Sequence, residues 1–366
     1  MIVMTNGKLK AISMMSIVIL TMIHVTLINL PKDVIKYAKT DAWISIIILA
    51  IAAMACAYAF YSMSIKYPRM NFAEINTKVL GNFFGRLCII IITIYYIVFI
   101  SISIRLFQES IEAYLLDRTP KIVVIGVFIY VCAYCLIKGV RTTSILFDIL
   151  LPGVLIIVLG ILLMTYKNAD FKNIMPVMHN GFKPVIRGSV EGSDTVLSCC
   201  IISYIMPYFE DAKKTKKWIL IAVGIAMFIY FLLILMSLAV FGVIEVEYLN
   251  FPAVSLAKTI EMEVEIFERT ESFFMAAWIP NAITSIIVFY IITTLNIKEL
   301  FKVKSKKGIN RIILFQIPIF LIIALIPKNI IELYKYLLIS NKFAVGLILG
   351  YLPIFFLITT IKKGKG

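Results

Sequence analysis

His24 is one of only two histidines in this 366-residue chain. It stands in a spaced polar set, Thr21, His24, Thr26 and Asn29, inside an apolar run that leads to Pro31. An imidazole can donate, accept or hold a proton near neutral pH, and nearby hydroxyls and amides can orient it or share that proton. A second set, Ser198, Cys199, Cys200, Ser203 and Tyr204, leads to Pro207 in another apolar run. Groups of these types suit the recognition of a small polar molecule. The simpler alternative has the hydroxyls bonding back to their own helix carbonyls and His24 making an interhelical hydrogen bond. Tyr95, Tyr96, Ser101 and Ser103 in a third run, and Thr284, Ser285 and Tyr290 in a fourth, offer further lining groups. Asp148, four residues before Pro152, is a candidate proton relay or the partner of a neighbouring helix. Arg105 and Glu109, with Glu112 nearby, either pair on one helix face or snorkel as an interfacial cluster.

The sequence offers little for catalysis. It contains no H-E-x-x-H, no G-x-S-x-G and no nucleotide-binding loop. Cys132 and Cys135 form a lone C-x-x-C inside an apolar run, better read as small, soft packing residues than as metal ligands. All six cysteines lie in apolar runs, so a disulfide framework is not expected, and no cofactor or metal is implied.

The elements that must position these groups are membrane helices. The chain is 61% hydrophobic and 16% charged, with a mean hydropathy of +0.97, too apolar for a soluble protein. Its charges fall between apolar runs, each long enough to cross a hydrocarbon layer about 30 Å thick. These runs predict about ten spans, at residues 11–38, 42–65, 87–115, 121–138, 142–166, 191–209, 218–243, 272–297, 309–327 and 336–361. His24 then lies roughly 20 Å along the first span and Asp148 about 10 Å into the fifth. The first run is an uncleaved helix rather than a signal peptide, because it is long and more spans follow it.

The net charge of +15 is distributed by topology, not gathered on one face, which argues against nucleic acid and for anionic membrane lipids as partners of the loops. Lysines and arginines crowd alternate connections, so these are expected to be cytoplasmic, with both termini inside. The whole chain, 1–366, reads as one membrane domain. Pro31 in a span running outward and Pro207 in one running inward suggest two inverted five-helix halves, about 11–166 and 191–361, joined by an outer loop at 167–190. Proline in a helix frees backbone carbonyls that must line a cavity or be buried in protein. The expectation is therefore that spans 1 and 6 break at these prolines and enclose a mid-membrane pocket suited to an amino acid.

One segment fits no span. In FPAVSLAKTIEMEVEIFERTESFFMAAW (Phe251 to Trp278), Val254, Ala257, Ile260, Val264 and Phe267 form an apolar stripe, and Glu261, Glu265 and Glu268 a charged one. Pro252 sits at the expected helix start. Such a helix is expected to lie on the surface, over the mouth of the bundle.

This segment resembles the stretch before helix 8 in the B subunits of endospore germination receptors, the GerAB and GerKB type. Four more stretches are similar to that family in the same order: LPKDVIKYAKTDAWISIII (Leu30 to Ile48), YPRMNFAEINTKVLGNFFGR (Tyr67 to Arg86), RLFQESIEAYLLDRTP (Arg105 to Pro120) and NIMPVMHNGFKPVIRG (Asn173 to Gly188). The resemblance implies an amino acid/polyamine/organocation permease fold used as a nutrient sensor in the spore inner membrane. It further implies an A subunit with soluble domains and a lipoprotein C subunit as partners, and a small-molecule germinant held where helices 1, 3, 6 and 8 meet. Glu268, Arg269, Glu271 and Trp278 are the most recognisable part of the acid-rich segment, expected to act as a lid or a docking surface. A proton-coupled amino acid transporter and a scaffold that binds nothing are the other readings.

Overall fold

The computed structural model describes residues 8–260 and 270–362, with the side chains of residues 270 and 271 outside the description. The protein is an all-helical integral membrane protein. Among the described residues, eight helices are long and apolar enough to cross a membrane, and two further crossings are assembled from short pieces.

The first of the two is α1 (Ser13–Met22), a 3-10 turn at Val25–Ile28 and α2 (Leu30–Ala38). The chain leaves helical geometry at Ile23 and is extended at His24 (φ −84°, ψ −173°). The break therefore falls at His24 and not, as the sequence suggested, at Pro31. Proline clashes with the carbonyl four residues before it, so a helix arriving from upstream cannot run through it. It is accommodated in the first turn of α2, where a missing N–H costs nothing, and the disruption moves upstream.

Four single crossings follow: α3 (Ala42–Lys66), α4 (Phe72–Tyr114), α5 (Lys121–Lys138) and α6 (Val140–Met164). α4 begins well before the predicted 87 because a connecting helix at 72–80 joins it through Gly81, whose φ of +82° only glycine adopts freely. That kink frees the Val79 carbonyl, which Lys362 Nζ takes at 2.6 Å.

The expected outer loop, 167–190, is partly helical. Two 3-10 turns precede α7 (Phe182–Glu191), whose Gly188 lies hard against α2 and α3. The next crossing, the sixth, is a chain of short pieces: α8 (Ser193–Leu197), a 3-10 turn at Ser198–Cys200, α9 (Ile201–Ile205) and a 3-10 turn at Met206–Tyr208. Pro207 again sits in a first turn, here near the lysine-rich end, so it does not mark the middle of the crossing.

α10 (Thr215–Tyr248) turns at Gly242 (φ +68°), and the freed Ala239 carbonyl accepts from the Asp170 N–H at 2.9 Å and Asn173 Nδ2 at 3.0 Å. α11 (Pro252–Lys258) is the start of the acid-rich segment, with Pro252 in its first turn as expected. α12 (Thr270–Leu300), α13 (Lys306–Leu325), α14 (Ile330–Gly346), a π turn and α15 (Leu352–Ile361) complete the chain, the last three pieces forming one crossing.

The packing has the symmetry of two inverted halves. α3 lies on α10, α4 on α12 and α5 on α13, so the second, third and fourth crossings each meet their own counterpart. Likewise α1 packs on α6 and α8 on α14, first crossing against last within each half. The two broken crossings are thereby brought to the centre.

Candidate functional site

The break in the first crossing leaves carbonyls that no intrahelical N–H can reach, and in a bilayer they must find donors within the protein. Tyr230 Oη of α10 donates to the Met22 carbonyl at 2.7 Å, and Asn281 Nδ2 of α12 donates to the Ile23 carbonyl. These two side chains hold the chain open at His24.

The extended backbone turns His24 into the bundle. Its Nδ1 lies 2.8 Å from Thr26 Oγ1 and 3.4 Å from the Thr26 N–H, which caps the 3-10 turn. The Thr26 hydroxyl also reaches across to the sixth crossing, 3.1 Å from Asp194 Oδ2. Asp194 Oδ1 accepts the Thr195 N–H at 2.8 Å, while His24 Nε2 faces Asp194 Oδ2 at 3.8 Å and Thr195 Oγ1 at 3.5 Å. His24 and Asp194 are 1% and 4% exposed, so this is a polar centre closed off from bulk water. Aromatic rings wall it: Phe99 of α4 and Phe289 of α12 meet the imidazole edge-on at 5.7 and 6.0 Å, and Tyr96 stacks on Phe289. Two buried polar atoms of residues at the break, Asn29 Oδ1 and Asn281 Oδ1, have no hydrogen-bond partner among the described residues.

His24 and Thr26 are the two sequence candidates at the heart of this centre. Asn29 is buried close by on the same segment and donates to Asp33 Oδ2 at 2.6 Å. Tyr95 stacks between Phe99 and Phe343 on the α14 side. Cys200 contacts Tyr96 Oη at 2.8 Å, and Ser198 donates to the Asp194 carbonyl at 2.9 Å, which steadies the turn carrying the acid. Ser203 is buried further along the crossing, its hydroxyl without a described partner.

The remaining candidates point elsewhere. Thr21, Thr284 and Ser285 return their hydroxyls to Ile17, Asn281 and Ala282 of their own helices, and Cys199 turns to the Ala53 carbonyl of α3. Asp148 is away from the centre, accepting from Ser13 of α1 at 2.6 Å. Arg105 is not at an interface: it is 3% exposed and pairs with Glu109 at 2.6 Å, with Lys121 3.3 Å from the same carboxylate. Trp278 is buried against Phe107 within the bundle, which makes it part of helix packing and not of a docking face. Glu261, Glu265, Glu268 and Arg269 lie outside the described residues, as does the Glu271 side chain. The first part of that segment, α11, packs on α10, α12 and the 3-10 turn after His24, so it lies over the break, and its end, from residue 270, opens α12.

Sequence reasoning missed Asp194, Thr195, Tyr230 and Asn281. The signal for two of them was present, since an acid and an asparagine within predicted spans need partners and are functional candidates by default. Among the described residues no cluster of three or more His, Cys, Asp or Glu side chains is placed to hold a metal.

A family model described as "spore germination protein" matches residues 8–333. The chain is 26% identical to spore germination protein YndE of Bacillus subtilis over 99% of its own length and 98% of that protein's. It is 22% identical to spore germination protein B2 of the same organism, covering 95% and 92% of the two chains. Among solved structures it resembles a variant of the Eremococcus coleocola manganese transporter, with a TM-score of 0.69, 12% identity and coverage of 97% and 82%. A Na+-coupled sialic acid symporter superposes with a TM-score of 0.56 at 12% identity, covering 97% and 77%. At such identities these structures establish the shared fold of two inverted halves.

Proposed function

The chain belongs to the spore germination protein family, and from that premise we propose that it is the germinant-sensing subunit of a spore germination receptor, binding a small amino acid between its two broken crossings. The observation that carries the reading is the Thr26 to Asp194 hydrogen bond, which joins the break in the first crossing to the sixth inside a buried aromatic wall. A ligand lodged here touches both halves, so it can favour one arrangement of the bundle over another, as sensing requires. On this reading the protein resides in the spore inner membrane with its lysine-rich end and both termini in the cytoplasm, assembled with an A subunit and a lipoprotein C subunit.

The test is a thermal-shift screen of the twenty common L-amino acids against the co-expressed complex. Stabilisation by one or a few of them, lost in Thr26→Val, is the expected result. A complex that assembles yet responds to none would leave a scaffold. The transporter-like fold supports a second reading, proton-coupled uptake. Accumulation of a radiolabelled amino acid in proteoliposomes containing this chain alone would replace sensing with transport.

A further inference from the structure

A groove open to the outside of the bundle runs between α3 and α10, where Ile47, Ile51 and Met54 face Gly224, Phe228 and Phe231 across a volume of about 370 Å³. Its walls are apolar, and Ile51 and Phe228 are more than half exposed. Gly224 makes the notch in the α10 wall: a Cβ added there would meet nothing within 4 Å. Trp43 and Phe231 meet edge to face at 6.5 Å at the far end of the groove.

The near end is charged. Along the same face of α3, Met54 is followed at helical spacing by Tyr58 and Tyr61, whose ring centroids are 6.5 Å apart. Tyr61 Oη donates to the Lys213 carbonyl at 3.4 Å, which draws the end of α3 onto the approach to α10. On α10, Lys217 stands two helical turns before Gly224 and so shares its face. Lys216 Nζ sits over the Tyr58 ring, 5.1 Å from its centroid, and this holds one cation at the mouth of the groove. Asp211, the nearest acid along the chain, is engaged by Lys214 Nζ at 3.5 Å and by the Lys213 N–H at 3.0 Å. Among the described residues neither Lys216 nor Lys217 has a carboxylate partner.

From Tyr58 back to Ile47 the face of α3 runs about 16 Å, the depth of one leaflet of a hydrocarbon core about 30 Å thick. An apolar slot one leaflet deep, with two cations at its mouth, matches one phospholipid in both shape and charge. A zwitterionic lipid would fill the slot but bring its own cation to the lysines. A partner helix would fill it without supplying a fixed anion at that level.

We propose that this groove binds one anionic phospholipid from the leaflet at the lysine-rich end, with an acyl chain lying along Gly224 and the phosphate between Lys216 and Lys217. α3 and α10 are counterparts in the two halves, so the bound chain touches both.

The test uses two lipid probes with the same diazirine-bearing acyl chain, one a phosphatidylglycerol and one a phosphatidylcholine, each doped into phosphatidylcholine nanodiscs holding the purified protein. The expected result is photolabelling around Met54, Gly224 and Phe228 that is about tenfold or more stronger with the phosphatidylglycerol, and close to parity in Lys216→Gln with Lys217→Gln. Gly224→Leu grows into open space, so it folds, and the labelling at the groove is lost. Equal labelling by the two probes in the unaltered protein reduces the groove to ordinary lipid contact. Undiminished labelling in Gly224→Leu puts the lipid elsewhere, and displacement of the probe by inorganic phosphate leaves only an anion site. Labelling of the chain alone that disappears in the co-expressed complex gives the groove to a partner helix. Each of these four outcomes overturns the proposal. Should Gly224→Leu fail to fold, the comparison of the two probes on the lysine double variant decides.

Discussion

Tyr230 Oη lies 2.7 Å from the carbonyl oxygen of Met22, the residue at which α1 stops. A phenol from one crossing thus occupies the position that an intrahelical N–H would have filled in another. The broken conformation of the first crossing is a property of α1 and α10 together.

Tyr230→Phe removes the donor and leaves a buried carbonyl unsatisfied, a loss of about 1–3 kcal/mol. The expected outcome is a lower melting temperature together with weaker amino acid binding, since His24 loses part of what holds it in place. A melting temperature and affinity equal to those of the unaltered protein would show that Asn281 alone keeps the break.

Buried Arg105 and part-buried Glu109 make an ion pair near the end of α4. Arg105→Met strands the carboxylate with only the half-exposed Lys121 for compensation, and costs about 3 kcal/mol or more. The double variant Arg105→Met with Glu109→Met is expected to recover most of that loss. Denaturation of the three proteins in one detergent measures the difference, and a double variant no better than the single would mean that the pair is not a closed unit.

A Cβ placed on Gly188 would lie 2.8 Å from both the Ala38 Cβ and Ser45 Oγ. Gly188→Val therefore forces α7 off α2 and α3, with an expected cost of about 1–3 kcal/mol. Proteolysis within residues 182–191, faster than in the unaltered protein, is the readout. Unchanged resistance would show that α7 can be displaced without consequence.

Asp148 accepts from Ser13, which an asparagine carbonyl can also do. Asp148→Asn is expected to change stability by less than about 1 kcal/mol, whereas Asp148→Leu, which leaves the Ser13 hydroxyl unpaired, costs about 1–2 kcal/mol. If Asp148→Asn abolishes an amino acid response while leaving stability intact, the acid carries protons and does not merely join two helices.

The spans were legible because hydropathy and length are local properties of the chain, and the lysine-rich connections separated them. The broken crossings were legible only in outline. Pro31 and Pro207 announced irregularity, but proline settles into the first turn of the following piece, so the disruption lands upstream at His24 and over Ser198–Cys200. His24 and Thr26 stood out as polar residues in an apolar run. Asp194 is joined to Thr26, Tyr230 to the Met22 carbonyl and Asn281 to the Ile23 carbonyl by pairings across more than 160 positions, and spacing along one chain carries no trace of such contacts. α7 went unrecognised because its amphipathic pattern sits in a stretch too polar to span.

Leu9 pairs with Phe209 in a single parallel bridge: its N–H donates to the Tyr208 carbonyl at 2.9 Å and its own carbonyl accepts from the Glu210 N–H at 3.1 Å. The approach to α1 and the exit of the sixth crossing are thereby laced together at the lysine-rich end. Parting them there would break both hydrogen bonds, whereas the far portions, α2 and α8, are placed by packing on α7 and α10 and on α3 and α14. The two ends of the bundle are therefore joined unequally: backbone hydrogen bonds tie these crossings at one end, and side-chain contacts place them at the other.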